Sequence, residues 1–218
     1  MPVLGLIPAR GGSKGIPGKN LVPLAGKPML LWTVEAALAA STLARVVVST
    51  DDEEIAATAG CEVLGRPAEL AADETPMLDV VLHAVAELGP VDAVCLLQPT
   101  SPLRRAEHVD GAVRLFEESG ADGIVSVVPV PHAFLPGSLM RVEDGRLVAL
   151  DAEAPTRRQD KPALYARNGP AVLVVKSAGL AHRGLYGGEL RPYEMAPEDS
   201  VDVDGPLDLT IAEALLSR

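Results

Sequence analysis

Aromatic residues are scarce in this 218-residue chain: two Phe, three Tyr and one Trp account for 3% of it. Basic residues are also in the minority, 19 Lys and Arg against 30 Asp and Glu, giving a formal charge of −11. No basic stripe with interleaved rings can be built from this composition, which argues against polymeric nucleic acid as a partner. A free nucleotide stays open, because one local cluster of Lys and Arg is enough for it. Cysteine is rarer still. Cys61 and Cys95 stand in apolar surroundings and form no C-x-x-C, so neither a disulfide framework nor a zinc site is expected, and the setting they suit is the reducing cytosol. No apolar run approaches about 18 residues, and the N-terminus has no basic n-region followed by an h-region, so neither a membrane span nor a signal peptide is expected. The length fits one domain, residues 1–218, with a sizeable core.

Two common phosphate-binding loops are missing as well. A Walker sequence ending in Gly18-Lys19 needs a glycine where Ser13 stands, and no G-x-G-x-x-G can be read from Gly11 onward. What is present is an apolar run, Val3-Leu4-Gly5-Leu6-Ile7, as expected of a buried strand. It breaks into Arg10-Gly11-Gly12-Ser13-Lys14-Gly15-Ile16-Pro17-Gly18-Lys19-Asn20. Glycines let backbone N–H groups close around an anion, and Arg10, Lys14 and Lys19 add charge where several negative oxygens would sit. Composition alone also allows a solvated surface loop.

Further along, helical spacing of Met29, Leu30, Trp32, Thr33, Ala36, Ala37 and Ala40 predicts a helix from about Pro28 to Ala40, with Pro28 at its first position and Trp32 as a core anchor. Arg45–Ser49 reads as a second buried strand, and Thr50–Glu54 as a helix start with acids on its positive end. Strand, helix and strand in this order imply a right-handed parallel α/β unit. Cys61–Leu64 is the next strand and delivers Arg66 into a loop where ligands bind in open α/β sheets. A helix follows over about Met77 to Leu88, in which His83 reads as structural. Asp92–Leu97 is the most apolar strand and the expected centre of the sheet. Ser101 reads as the cap of a helix with Pro102 first, the regular pattern running from about Arg104 to Glu118. Gly123–Val128 and Ala171–Lys176 are strands, Arg141–Leu150 is a hairpin turning at Asp144-Gly145, and a last helix reaches about Leu216.

Near the C-terminus, Ser200-Val201-Asp202-Val203-Asp204 places two acids two apart, hence on one face of an extended segment and about 6–7 Å apart. Such a pair can share one hard cation, Mg²⁺ being the usual one beside phosphate oxygens. It is equally an ordinary strand end with both aspartates in water.

The full order of four segments carries more than any of them alone. Ala9 to Asn20, Gln98-Pro99-Thr100-Ser101-Pro102-Leu103-Arg104, Arg158-Gln159 with Tyr165 and Asn168-Gly169, and Ser200 to Asp204 together resemble the acylneuraminate cytidylyltransferases. The resemblance runs from Ile7 to Leu209. It implies a Rossmann-like, mostly parallel nucleotidyltransferase sheet flanked by helices, with an insertion over about 129–162 that dimerises and helps shape the acceptor pocket. It also implies transfer of CMP from CTP to the anomeric hydroxyl of a sialic-acid-like keto sugar acid, releasing pyrophosphate, with Mg²⁺ as cofactor, in a cytoplasmic homodimer.

Carried over residue by residue, the resemblance makes Arg10, Lys19, Asp202 and Asp204 catalytic and gives the metal to Asp202 and Asp204. Ala9, Arg10, Gly11, Gly12, Ser13, Lys14, Lys19, Asn20 and Arg66 would hold the nucleotide. Gln98, Thr100, Ser101, Arg158, Tyr165 and Asn168 would address the acceptor, Arg158 pairing with its carboxylate. Three departures follow, the first two bearing on that acceptor and the third on the base. Pro170-Ala171-Val172 replaces the usual Ala-Ile-Tyr, no lysine stands in 131–136, and Met77 takes the place of a small hydroxyl residue. A legionaminate, pseudaminate, phosphonate or sugar-phosphate acceptor is therefore an alternative, as is a nucleotide-binding module without turnover.

Overall fold

Val3–Pro8 is apolar from end to end, and the strand it forms, β1, is buried on both faces. The computed structural model describes residues 1–12, 15–155, 157–169 and 171–217, with Arg158 described by its backbone alone. Pro23–Leu24 (β2) and Lys27–Pro28 (β3) make a small ribbon before helix α1, Met29–Ala39. Then come β4 (Arg45–Thr50), α2 (Glu53–Thr58), β5 (Glu62–Gly65), α3 (Met77–Leu88), β6 (Ala93–Leu96) and α4 (Ala106–Ser119). The second half holds β7 (Gly123–Pro129), the hairpin β8 (Met140–Glu143) and β9 (Arg146–Ala149), β10 (Tyr165–Arg167), β11 (Leu173–Lys176), the short α5 (Leu180–Arg183), β12 (Leu190–Glu194) and α6 (Pro206–Leu216).

Among the described residues the main sheet has eight strands in the order β10-β7-β11-β6-β1-β4-β5, with β12 also on β7. β4 and β6 flank β1 in parallel, and β5 continues in parallel from β4. β11 runs antiparallel between β6 and β7. The chain thus leaves β1 on one side for β4 and β5 and returns on its other side as β6. That reversal opens a crevice at the carboxyl ends of β1 and β6, where open α/β sheets bind ligands.

Alternation along the buried strands builds a core on each face of the sheet. Val3, Ile7, Ala93 and Cys95 face one way and pack on Leu30 and Val34 of α1 and Val109, Val113 and Phe116 of α4. Leu4, Leu6, Val94 and Leu96 face the other and pack on Val81 and Ala84 of α3 and on Leu180. Cys95 is enclosed, and burial pushes its thiol up to about 12, so it behaves as a small apolar side chain. Both cysteines are free thiols. No helix among the described residues is long and apolar enough to cross a membrane.

Helix α2 starts where its acids predict: the Asp52 carboxylate accepts from the N–H groups of Glu54 and Ile55, both at 2.9 Å. The hairpin turn is also as expected, with Asp144 and Gly145 both at positive φ, 49° and 76°. Trp32 packs beside Leu24, Met29 and Val203, donates from Nε1 to Leu24 O at 3.0 Å, and lies under the Lys27 ammonium. Two helix starts differ from the sequence expectation. Pro28 precedes α1 instead of opening it, because Lys27-Pro28 is paired with β2. Helix α4 begins at Ala106, not Pro102, because Arg104 turns inward: its Nε donates to Ala171 O and its Nη2 to Gln98 O. These bonds hold residues 98–104 as successive turns, and burial pulls the Arg104 guanidinium down to about 10.

The start of α4 is tied to the C-terminal segment by a polar cluster. Arg105 N–H donates to His108 Nδ1 at 3.2 Å, Arg105 Nη1 pairs with Asp199 Oδ1, and His108 Nε2 lies 3.5 Å from Asp199 Oδ2. Burial, then the charges of Arg105 and Arg104, hold the His108 pKa below its ordinary 6.5, against the opposing pull of Asp199 and Glu107. The unfolded chain therefore binds more protons at this residue than the folded one once the pH falls below about 6.5, so His108 costs stability on the acid side and nothing above it. Chemical denaturation from pH 8 to 5 is expected to show stability falling below about 6.5, and His108→Gln to flatten that fall. An unchanged slope in the variant would contradict it.

Candidate active site

A cleft of about 240 Å³ lies at the carboxyl ends of β1, β5 and β6, lined among others by Arg10, Lys19, Asn20, Arg66, Met77, Gln98, Thr100, Asp202 and Asp204. The N-terminal loop reaches it directly after β1. Gly18, at φ 62°, turns the chain so that Lys19 points inward. At Gly15 a Cβ would sit 2.7 Å from Asp204 O, so the loop backbone passes against the C-terminal acids at a distance that only glycine permits.

The acids are held at Val203, whose side chain is buried beside Leu24 and Met29. Its N–H donates to Thr100 O at 2.7 Å, and its carbonyl accepts from Lys19 Nζ at 2.9 Å. Lys19 Nζ also donates to Asp204 Oδ1 at 3.2 Å. Three of the four segments singled out in the sequence therefore meet at one residue. The Asp204 carboxylate is 80% exposed against 13% for Lys19, so this pair is screened and contributes little to stability.

Asp202 sits in a different environment from Asp204. Burial raises its pKa, helped by the charges of Asp204 and Asp208, while the Thr100 hydroxyl and Lys19 oppose the shift. The Thr100 hydroxyl lies 3.4 Å from Gln98 Oε1 as well, and its single proton serves the amide or the carboxylate, one at a time. Asp202 Oδ1 is buried with no hydrogen-bond partner. An unpartnered buried carboxylate oxygen beside a second, exposed carboxylate fits a hard cation. A pair of carboxylates suits an ion that takes its other oxygens from water and phosphate, as Mg²⁺ does; among the described residues no group of three or more His, Cys, Asp or Glu could hold a metal.

The cationic residues are oriented by their own partners. Arg10 pairs with Asp73 through Nη1, which also lies 3.5 Å from Ala71 O, and its carbonyl accepts from Asn20 Nδ2 at 2.9 Å. Arg66 is buried, with Nε donating to Ser49 Oγ at 3.2 Å and Nη2 to Ser49 O at 2.6 Å. Burial lowers its pKa and Asp51 counters this. Gly11 N–H donates to Asp51 Oδ1 at 3.1 Å, and Ala9, enclosed, donates to Ser49 O at 2.9 Å, so Ala9 ends the strand and does not reach the cleft. Gly12 has open space around it, and Ser13 and Lys14 lie outside the described residues.

On the acceptor side the structure separates what the sequence grouped. Gln98 and Thr100 line the cleft. Ser101 is fully enclosed, Tyr165 lines another cavity with Pro129, His132 and Lys161, and Asn168 is buried behind the acids. The Arg158 side chain lies outside what is described. Residues that sequence reasoning passed over include Asp73 and Ser49, short polar side chains with no motif around them, and the Val203 peptide, whose role rests on backbone atoms.

The description "cytidylyltransferase" belongs to the family model that matches residues 4–208. The chain belongs to the cytidylyltransferase family. It is 38% identical over 222 residues to the N-acylneuraminate cytidylyltransferase A of Danio rerio, covering 98% of this chain and 50% of that protein. It is 33% identical over 215 residues to the N-acylneuraminate cytidylyltransferase of Escherichia coli O18:K1:H7, covering 96% and 51%. The chain thus spans about half the length of the curated relatives it matches. Its fold is that of a CMP:2-keto-3-deoxy-manno-octonic acid synthetase solved with CTP, at TM-score 0.75 and 20% identity over 100% of this chain and 99% of the other.

Proposed function

We propose that the chain transfers CMP from CTP to the anomeric hydroxyl of a sialic-acid-like 2-keto sugar acid and releases pyrophosphate. The observation that carries this reading is the meeting of Lys19 with Val203 and Asp204, which makes one cleft of a cationic loop and twin acids. The family and the names of the relatives support the nucleotide and the acceptor class. In this reading the acceptor oxygen bonds to the α-phosphorus, the bond from that phosphorus to its bridging oxygen breaks, and pyrophosphate leaves with the electron pair. The hydroxyl proton passes to one of the twin carboxylates, Asp202 or Asp204.

Arg10, Lys14 and Lys19 neutralise the triphosphate, and Lys19 exchanges Asp204 for a phosphate oxygen. Asn20 braces the Arg10 carbonyl, while Arg66 and Met77 bound the base. Asp202 and Asp204 would hold Mg²⁺, which when bound neutralises phosphate charge and polarises oxygen. Gln98 and Thr100 meet the acceptor from the sheet side, and Arg158 pairs with its carboxylate. The thiols of Cys61 and Cys95 suit a cytoplasmic setting.

The same reading extends to a homodimer formed through residues 129–162. Hairpin β8–β9 exposes Val142 at 73% and Leu147 at 68%, and Phe134 and Leu150 of the same segment are exposed as well, a cost that a second copy would remove. Sedimentation is expected to give a dimer that Val142→Lys with Leu147→Lys converts to a monomer; a wild-type monomer contradicts this.

A pyrophosphate-release screen pairing CTP, GTP and ATP with sialic, legionaminic and pseudaminic acids, a phosphonate and a sugar 1-phosphate in Mg²⁺ tests the reaction. Release with CTP and a nine-carbon keto acid is expected. Release only with the phosphonate or sugar phosphate, or CTP binding without release, contradicts it. Asp202→Asn is expected to lower kcat by about 100-fold or more while CTP affinity stays within about threefold. Equal losses in both would remove the transition-state role.

A further inference from the structure

We infer that Asn168 and Gly169 are the seat of the carboxylate segment 200–204, positioning Asp202 from behind instead of binding the acceptor. The inference rests on the proposed role of Asp202 as a cation ligand. Asn168 is 4% exposed and both ends of its amide are engaged inside the protein. Ser126 Oγ accepts from Val172 N–H at 2.9 Å, so its own proton is free for Asn168 Oδ1, 2.6 Å away. That fixes the amide orientation: oxygen toward Ser126, nitrogen toward Ser200. Asn168 Nδ2 accordingly donates to Ser200 Oγ at 2.9 Å, with Met195 Sδ at 3.4 Å.

Ser200 Oγ donates onward to Ala196 O at 2.8 Å, closing the short 3-10 turn Pro197–Asp199 that delivers the chain to Asp202. The relay therefore runs from β7, which carries Ser126, to a residue two before Asp202. Gly169 completes the seat. At φ 120° its backbone passes so close that a Cβ would lie 2.8 Å from Ser101 Oγ and 3.7 Å from Asp202 Oδ1. The Asn-Gly pair thus binds the acid segment at its start and leaves no room beside Ser101 for a side chain that would also meet the Asp202 carboxylate, while none of its polar side-chain atoms turns to the cleft. A carboxylate held this way keeps its geometry before any ligand arrives, and small displacements of such a group are costly to the chemistry.

The test uses Mn²⁺ as the probe, its free concentration read by electron paramagnetic resonance on the full chain with CTP and no acceptor. Ser200→Ala and Asn168→Ala are each expected to weaken Mn²⁺ binding about 3- to 10-fold, the loss of one buried hydrogen bond, with the acceptor KM within about twofold. Ser200→Thr, which keeps the hydroxyl, is expected to restore it. Unchanged Mn²⁺ affinity in Ser200→Ala overturns the inference, whether melting falls or the acceptor KM of Asn168→Ala rises. If Asn168→Ala fails to fold, the Ser200 pair of variants decides alone. A wild-type chain that bound no Mn²⁺ with CTP would instead remove the cation role of Asp202, and the inference with it.

Discussion

The peptide of Val203 is the joint on which the arrangement depends. Its N–H is bound by the loop after β6 and its carbonyl by the lysine of the loop after β1, while its side chain is locked under α1. A backbone group bonded on both sides cannot slide along the sheet edge, so the flanking acids inherit a fixed register. The alternation of an extended segment then does the rest: Val203 faces inward, and Asp202 and Asp204 face the cleft. Two carboxylates that are adjacent in chemistry become different in environment, one half-buried and drawn toward its neutral form, the other open to water.

Two cations of the loop are matched by the protein's own acids, Lys19 by Asp204 and Arg10 by Asp73. The protein as a whole is strongly acidic, with 30 Asp and Glu against 19 Lys and Arg, and opening such pairs adds to the local positive charge of the cleft. The Lys19–Asp204 pair, its carboxylate largely exposed, costs little to separate. In the proposed reaction the triphosphate takes over Lys19, and Asp204, left behind, shares a cation with Asp202. Charge is rearranged within the site without being stranded.

Much of this was legible in the sequence because it depends on local signals. The all-apolar strands β1 and β6, the acids capping α2 and the Asp144-Gly145 turn each follow from rules of short range. The convergence of residues 10–20 with 202–204 came from the order of motifs, and spacing alone would have left both as solvated loops. Three features were out of reach for physical reasons. Ser101 looked like a helix cap, but a buried Arg104 three residues on draws the chain into turns and delays the helix to Ala106. Asn168 looked like a substrate contact, and its burial depends on Ser126 and Ser200, which lie 42 and 32 residues away. Tyr165 belongs to β10, whose pairing with β7 turns it toward a different cavity.

A double-mutant cycle on CTP binding in Mg²⁺ tests most directly whether loop and acids form one site. Lys19→Met, Asp204→Asn and the double variant are compared with the wild type by calorimetric titration. Residues that serve one ligand through a shared contact are expected to be non-additive by about 1 kcal/mol or more, although 185 positions separate them in sequence. Effects that add to within about 0.3 kcal/mol would show two independent sites, and would contradict the account.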